Sequence, residues 1–285
     1  MVLKSSKKQA WFIFIGIIIF LSILYVFKNV YKTYQFQTIT SFQEINFDEF
    51  SQDDLVVFDV DETLVQPIDA YLINEHDNSI ALKLFQAKAL AQYPALLKDG
   101  AYYASIMYKE AQRPLIEPEI VHIIQKLQNR HVPVIACTFM NIGSFGVISS
   151  MEQWRFDHLQ SLDIDFSKSF DIQNFAIQGT DRKPQFYKGI LCADLISKGG
   201  VLGMFLDQVH FKPQKIIFFE DDYEYLVQVQ EECKKRNIQF VGYHYHGAKK
   251  KPFNESLAWI QAKHLVENKT WLSDKQITAS QSSLL

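Results

Sequence analysis

Cysteine is scarce in this chain: Cys137, Cys192 and Cys233 are the three thiols in 285 residues. So few, so far apart, they exclude a disulfide framework and lack the paired spacing of a zinc site. Cys137 lies in an apolar run, where a thiol serves as a small core filler. Net charge is lacking too, since 29 basic against 32 acidic residues give a formal charge of −3. That balance argues against nucleic acid as a partner, because such binding rests on a surplus of Lys and Arg against phosphate. No internal repeat and no low-complexity domain interrupts the sequence. With 48% hydrophobic and 21% charged residues, the composition is that of a folded protein, not a disordered one. The length suits one α/β domain with an insertion, or two small domains.

The first thirty residues stand apart. Lys4, Lys7 and Lys8 precede Trp11–Phe27, an uncharged and almost wholly apolar run. At about 1.5 Å per residue this run spans roughly 25 Å, close to the thickness of a bilayer core. It is followed by Lys28, Asn29, Val30, Tyr31 and Lys32, not by a small-x-small cleavage pattern. The expectation is an uncleaved signal-anchor within residues 1–30, with secretion after cleavage as the alternative. The balance of flanking lysines places the domain on the extracytoplasmic, periplasmic side. Residues 31–51, polar and aromatic without clear periodicity, read as a tether.

The stretch Asp54–Val65 is the one around which the remaining chain is organised. Leu55–Phe58 is an apolar run suited to a strand buried on both faces, and it stops at Asp59, Asp61 and Thr63. The C-terminal ends of buried parallel strands face the crevice where open α/β sheets bind ligands. Residues 66–113 contain helical stretches, Ser79–Tyr93 and Tyr102–Ala111, and read as an insertion hanging over that crevice as a cap. Further along, Pro118 opens a helix through Arg130, and Val132–Cys137 is a second core strand ending at Thr138. A helix over Phe145–Leu162 and short strands at Phe170–Ile177 and Gly189–Ala193 come next. Lys198-Gly199-Gly200 opens a helix over Val201–Val209. Lys215–Phe219 is a third buried strand ending at Glu220-Asp221-Asp222. A helix over Tyr223–Arg236, a strand over Ile238–Tyr243 and a closing helix over Glu255–Glu267 complete the pattern. Strands alternating with helices predict an α/β fold, a doubly wound (Rossmann-like), mostly parallel sheet. Its core covers residues 52–65 and 114–270, with one N-terminal hydrophobic helix and a C-terminal tail over 271–285, frayed after Ser280.

Asp59-Val60-Asp61-Glu62-Thr63, Thr138, Lys198 and Glu220-Asp221-Asp222 together resemble the four motifs of the haloacid dehalogenase (HAD) superfamily, in order and spacing. The resemblance covers roughly residues 52–245. Trp271-Leu272-Ser273-Asp274 is similar to an uncharacterised bacterial branch of the same superfamily. The resemblance implies a division of roles: Asp59 as nucleophile and metal ligand, Asp61 as proton donor and then base, Thr63 and Thr138 as phosphoryl contacts. Lys198 then compensates charge, and the acids after Phe219 hold the metal with Asp59 and Asp61. The chemistry asks for such a set: a carboxylate attacking a phosphate ester gives an acyl-phosphate that water hydrolyses. The meeting of two anions calls for a hard cation such as Mg2+. Among Glu220, Asp221 and Asp222, Asp221 is favoured as the direct ligand. Two departures stand out: Glu220 where Asp is commoner, and Met140 where many relatives of that superfamily carry a basic residue.

The expected function is therefore a membrane-tethered, Mg2+-dependent phosphatase acting on a phosphorylated small molecule. Retention of Asp61 argues against a dehalogenase, because a leaving halide needs no proton. One alternative is an inactive binding or interaction protein on the same fold; another is a phosphotransferase or phosphomutase using the same site. Lys188 competes with Lys198 for the cation's role. Arg182 and Lys183 read as a solvated loop, Tyr243-His244-Tyr245-His246 as a strand end or crevice rim, not a metal site. Tyr71, Tyr102, Tyr103 and Tyr108 read as packing among cap helices, with a substrate pocket as the alternative.

Overall fold

The computed structural model describes residues 34–73 and 79–282. The apolar run of residues 11–27 lies outside them; among the described residues no helix is long and apolar enough to cross a membrane.

Strands are numbered along the chain: β1 (Tyr34–Ile39), β2 (Asp54–Phe58), β3 (Val134–Thr138), β4 (Asn174–Ala176), β5 (Gln185–Tyr187), β6 (Ile190–Cys192), β7 (Lys215–Glu220) and β8 (Gln239–Tyr245). They form one sheet in the order β1-β8-β7-β2-β3-β6-β5-β4. Every pair from β1 across to β6 is parallel, and the β6–β5 and β5–β4 pairs at the far edge are antiparallel, so that β5 alone runs reversed. From β2 the chain steps to β3 on one side and later returns to β7 on the other. The strand order therefore reverses at β2, and a crevice opens at its C-terminal end.

The composition of the strands follows from burial on both faces. All five residues of β2 and all five of β3 are buried. Val56, Phe58, Val134 and Ala136 pack on one face with the Ile120–Asn129 and Met151–Gln160 helices. Leu55, Val57, Ile135 and Cys137 pack on the other with the Lys198–Gln208 and Tyr223–Arg236 helices. Sidedness alternates residue by residue, as a pleated strand requires.

Four expectations need correction. The stretch 31–51 is no tether over its described part: β1 is an edge strand, and Phe42, Phe47 and Phe50 are buried in the core. Phe42 stacks on Tyr245 at 4.6 Å between ring centroids and meets Phe58 and Phe219 edge-on. The closing helix, Glu255–Asn268, does not belong to the core; Ala258 and Leu265 pack on the inserted helices Ser79–Gln92 and Gly100–Glu110. The tail is likewise folded, with Trp271 and Ile277 buried and a helix over Asp274–Ser282. The helix expected from Phe145 begins at Met151, because Phe145 and Ile148 close a tight turn on each other and Ser150 caps the first turn.

If the segment after Tyr34 is core, Phe42→Ala costs about 3–5 kcal/mol of folding stability. Urea denaturation checks this; a loss below about 1 kcal/mol would restore the tether reading.

Candidate active site

The site starts from a strand end and a tight loop. The β2 ladder runs one residue past Phe58, Asp59 N donating to Phe219 O at 2.9 Å. The chain then folds back: Leu64 N and Val65 N both donate to Val60 O at 2.9 Å, and Glu62 adopts a left-handed φ of 62°. Asp59 is buried, while Asp61 keeps 44% of its side chain exposed.

The β2–β7 register sets Phe58 opposite Phe219, which brings Glu220 beside Asp59. Thr138, at the end of β3, is buried and lines the same cleft. Lys198 is the first residue of its helix, whose start is capped by Ser197 Oγ accepting from Gly200 N. Its ammonium is 1% exposed and lies 2.5 Å from Asp59 Oδ1 and 2.7 Å from Glu220 Oε2. Tyr225 offers its ring face at 4.4 Å. Asp221 completes the group, with Thr63 Oγ1 donating to its Oδ1 at 3.4 Å.

Electrostatically the cluster holds three acids and one base. Burial pushes the Asp59 and Glu220 carboxyls above the usual range, with Lys198 opposing. Burial and then Asp59 push Asp221 up to about 7. Burial pulls the Lys198 ammonium down, but Asp59 and Glu220 outweigh it and the net direction is upward. Asp59, Glu220 and Asp221 each present an oxygen within 4.8 Å of the others. Three carboxylates sharing a single ammonium are the donor chemistry of a hard divalent cation, so these residues could hold one.

Two expected ligands stand elsewhere. Asp222 Oδ1 accepts from Glu224 N at 2.8 Å and caps the Tyr223–Arg236 helix, although the residue still borders the cleft. Asp61 lines the same cleft but is not one of the three-acid group, and it is held by Arg155 Nη2 at 2.6 and 2.9 Å. Lys188 lies over the Phe156 ring at 4.2 Å and takes no part. Arg182 and Lys183 do not line the cleft. His244 reaches the Asp221 carbonyl at 2.8 Å and His246 meets its ring edge-on; neither joins a metal-type cluster among the described residues.

Arg155 was missed by sequence reasoning. It is 1% exposed, and its Nε and Nη1 have no hydrogen-bond partner among the described residues. The signal was present: Met151, Arg155 and Leu159 fall at i, i+4 and i+8, so a charge sits on the buried stripe of its helix. Arg113 is a second buried cation over the cleft, with Nη1 donating to the Tyr108 carbonyl at 2.8 Å. The cleft encloses about 560 Å3, and Leu72, Ala104, Met107 and Tyr108 of the insertion form its roof.

The chain belongs to the family described as "Protein of unknown function (DUF2608)", whose model matches residues 32–278. An uncharacterised protein of Rickettsia felis is 33% identical over 156 residues, covering 52% of this chain and 53% of its own. The matched part thus spans about half the length of that relative. An uncharacterised protein of Rickettsia prowazekii is 29% identical over 254 residues, covering 82% of this chain and 81% of its own. A Chlamydia trachomatis protein named "Putative outer membrane protein" is 26% identical over 199 residues, covering 69% of this chain and 70% of its own.

A carboxyl raised from 3.8 to about 7 keeps its proton in the folded chain where the unfolded chain has lost it. Folding then binds protons across that window, and raising the pH favours the unfolded state. In chelator, urea midpoints should fall as pH rises from about 4 to 7. Asp221→Asn should flatten part of that fall; a variant with the full slope would contradict the arrangement of charges described here.

Proposed function

We propose that this DUF2608 protein is a Mg2+-dependent phosphatase of the haloacid dehalogenase type, acting through an aspartyl-phosphate. The observation that carries the reading is the buried Lys198 ammonium joining Asp59 to Glu220, with Asp221 beside them at adjacent parallel strand ends. A buried ion pair is weak evidence for stability, whereas charged groups with shifted pKa values gathered in a cleft are what catalysis requires.

An Asp59 oxygen attacks phosphorus, the ester P–O bond breaks, and the leaving alkoxide takes a proton from Asp61. Water then attacks the aspartyl-phosphate and gives its proton to Asp61; the Asp59–phosphorus bond breaks and inorganic phosphate leaves. Lys198 offsets the charge gathered around Asp59, and the Thr138 hydroxyl donates to a phosphoryl oxygen. Asp59, Glu220 and Asp221 would hold Mg2+, which supplies further neutralisation of the phosphoryl charge. Arg155 positions Asp61 at the edge of the cleft. The apolar run of residues 11–27 and the name of the chlamydial relative support a place at an envelope membrane.

One observation favours a second reading. Both Asp61 oxygens are engaged by Arg155, which suits a site that binds phosphate without turning it over. Hydrolysis by the full-length chain separates the two. Turnover of p-nitrophenyl phosphate should require Mg2+ and stop with chelator. A broad panel of phosphate esters giving no Mg2+-dependent release would sink the enzyme reading. If an added alcohol acceptor captured the phosphoryl group instead of water, the same site would be that of a phosphotransferase.

Asp59→Asn should cut turnover by on the order of a thousandfold or more while the chain still folds, which far-UV circular dichroism checks. Asp61→Asn should slow an alkyl phosphate far more than p-nitrophenyl phosphate, whose leaving group needs no proton. Equal losses on both substrates would refute the proton-donor role.

A further inference from the structure

A second cavity, of about 240 Å3, lies between the Ser79–Gln92 and Gly100–Glu110 helices of the insertion and the Glu255–Asn268 helix. Phe85, Leu96, Ala262, Leu265 and Trp271 are among the side chains of its wall. For scale, an apolar cavity of about 150 Å3 suffices to hold benzene. Ala104 and Met107 line this cavity and the acidic cleft alike, so the two spaces share a wall.

One polar group in the lining is incomplete. Gln261 is 1% exposed, and its Nε2 donates to Leu272 O at 3.1 Å and to Asp274 Oδ1 at 2.8 Å. Both partners are acceptors, which fixes which end of the amide is the nitrogen. Its Oε1 is buried and receives no hydrogen bond among the described residues. Buried carbonyl oxygens in folded proteins are nearly always partnered, and Tyr71, Gln86 and Tyr103, the other lining side chains able to donate, do not donate to it.

We propose that this cavity receives the non-phosphate half of the substrate, an apolar body that carries one hydrogen-bond donor for Gln261 Oε1. The proposal rests on the phosphatase reading, and it narrows the substrate to phosphate monoesters of hydrophobic alcohols. The phosphate sits at Asp59, and the body passes Ala104 and Met107 into the space beyond. Such a division follows the usual design of ligand sites, in which apolar walls supply affinity and a few placed polar atoms supply orientation.

Indole, 1-methylindole and the full-length chain test this by isothermal titration, with no catalysis involved. Indole should bind, and 1-methylindole, which leaves Oε1 unpaired, should bind at least about fivefold more weakly. Ala262→Phe should abolish indole binding, and Ala262→Leu, a milder filling, covers a failure of the larger variant to fold. Absence of indole binding, equal binding of the two probes, or undiminished binding by the filled variants overturns the proposal. Indol-3-yl phosphate and acetyl phosphate supply the second arm. Filling the cavity should raise KM for the indolyl ester by about tenfold or more and leave acetyl phosphate hydrolysis unchanged. If indole binds as expected but neither phosphate is hydrolysed, it is the phosphatase reading that fails and not the cavity assignment.

Discussion

An ammonium removed from water is expensive, and Lys198 has almost no exposed surface. It is kept charged by Asp59 and Glu220, each within ordinary ion-pair distance. The geometry of that contact constrains three elements at once. β2 and β7 must end level, so that their acids face the same point. The Lys198–Gln208 helix must start close to the sheet, which requires it to pack tightly on the Tyr223–Arg236 helix. Gly199 permits this: a Cβ there would lie 2.2 Å from the Gln228 carbonyl. The Lys-Gly-Gly sequence thus combines the charge with the closeness that delivers it.

Charge in the cleft falls into two groups. On one side Asp59, Glu220 and Asp221 share one ammonium, and burial above all raises their pKa values. On the other, Arg155 and Arg113 lie near Asp61, and two Arg155 nitrogens have no partner among the described residues. An anion arriving between the groups meets a region short of negative charge on one side and, with a divalent cation present, a neutralised region on the other. Buried electrostatic surpluses of this kind are costly to the fold and are found where binding recovers the cost.

Much of the core was legible in the sequence, for a physical reason. Strands buried on both faces are uninterrupted apolar runs, and Leu55–Phe58 and Ile216–Phe219 have that form, so their acidic ends could be located to the residue. Parallel pairing then brings such ends together without further information. What escaped was whatever depends on contacts between distant segments. β1 has a mixed pattern because it lies at an edge, half-exposed, and its pairing with β8 lies some two hundred residues along the chain. The attachment of the Glu255–Asn268 helix to the insertion depends on Ala258 and Leu265 meeting Phe85 and Trp271, and nothing local distinguishes that from packing on the sheet. Arg155 was passed over because its neighbours in sequence are polar and aromatic, and only its helical stripe betrayed it. Asp222 shows the converse error: three adjacent acids look equivalent in a sequence, yet a helix beginning at Tyr223 takes the last of them for its cap.

The roof of the cleft joins the core at three chain crossings, and they are stitched to one another. Gln66 N and Ile68 N donate to Pro114 O and Gln112 O, so the outgoing and returning strands of the insertion are paired. The third crossing, after β8, is tied to the first by Gln66 Nε2 donating to Lys249 O and Lys249 N donating to Gln66 Oε1. A lid on two strands can swing like a door; one laced down along a third seam behaves as a fixed funnel. Admission to Asp59 is then governed by the shape of the mouth, and a molecule too broad for it is refused at the threshold, not trapped by closure.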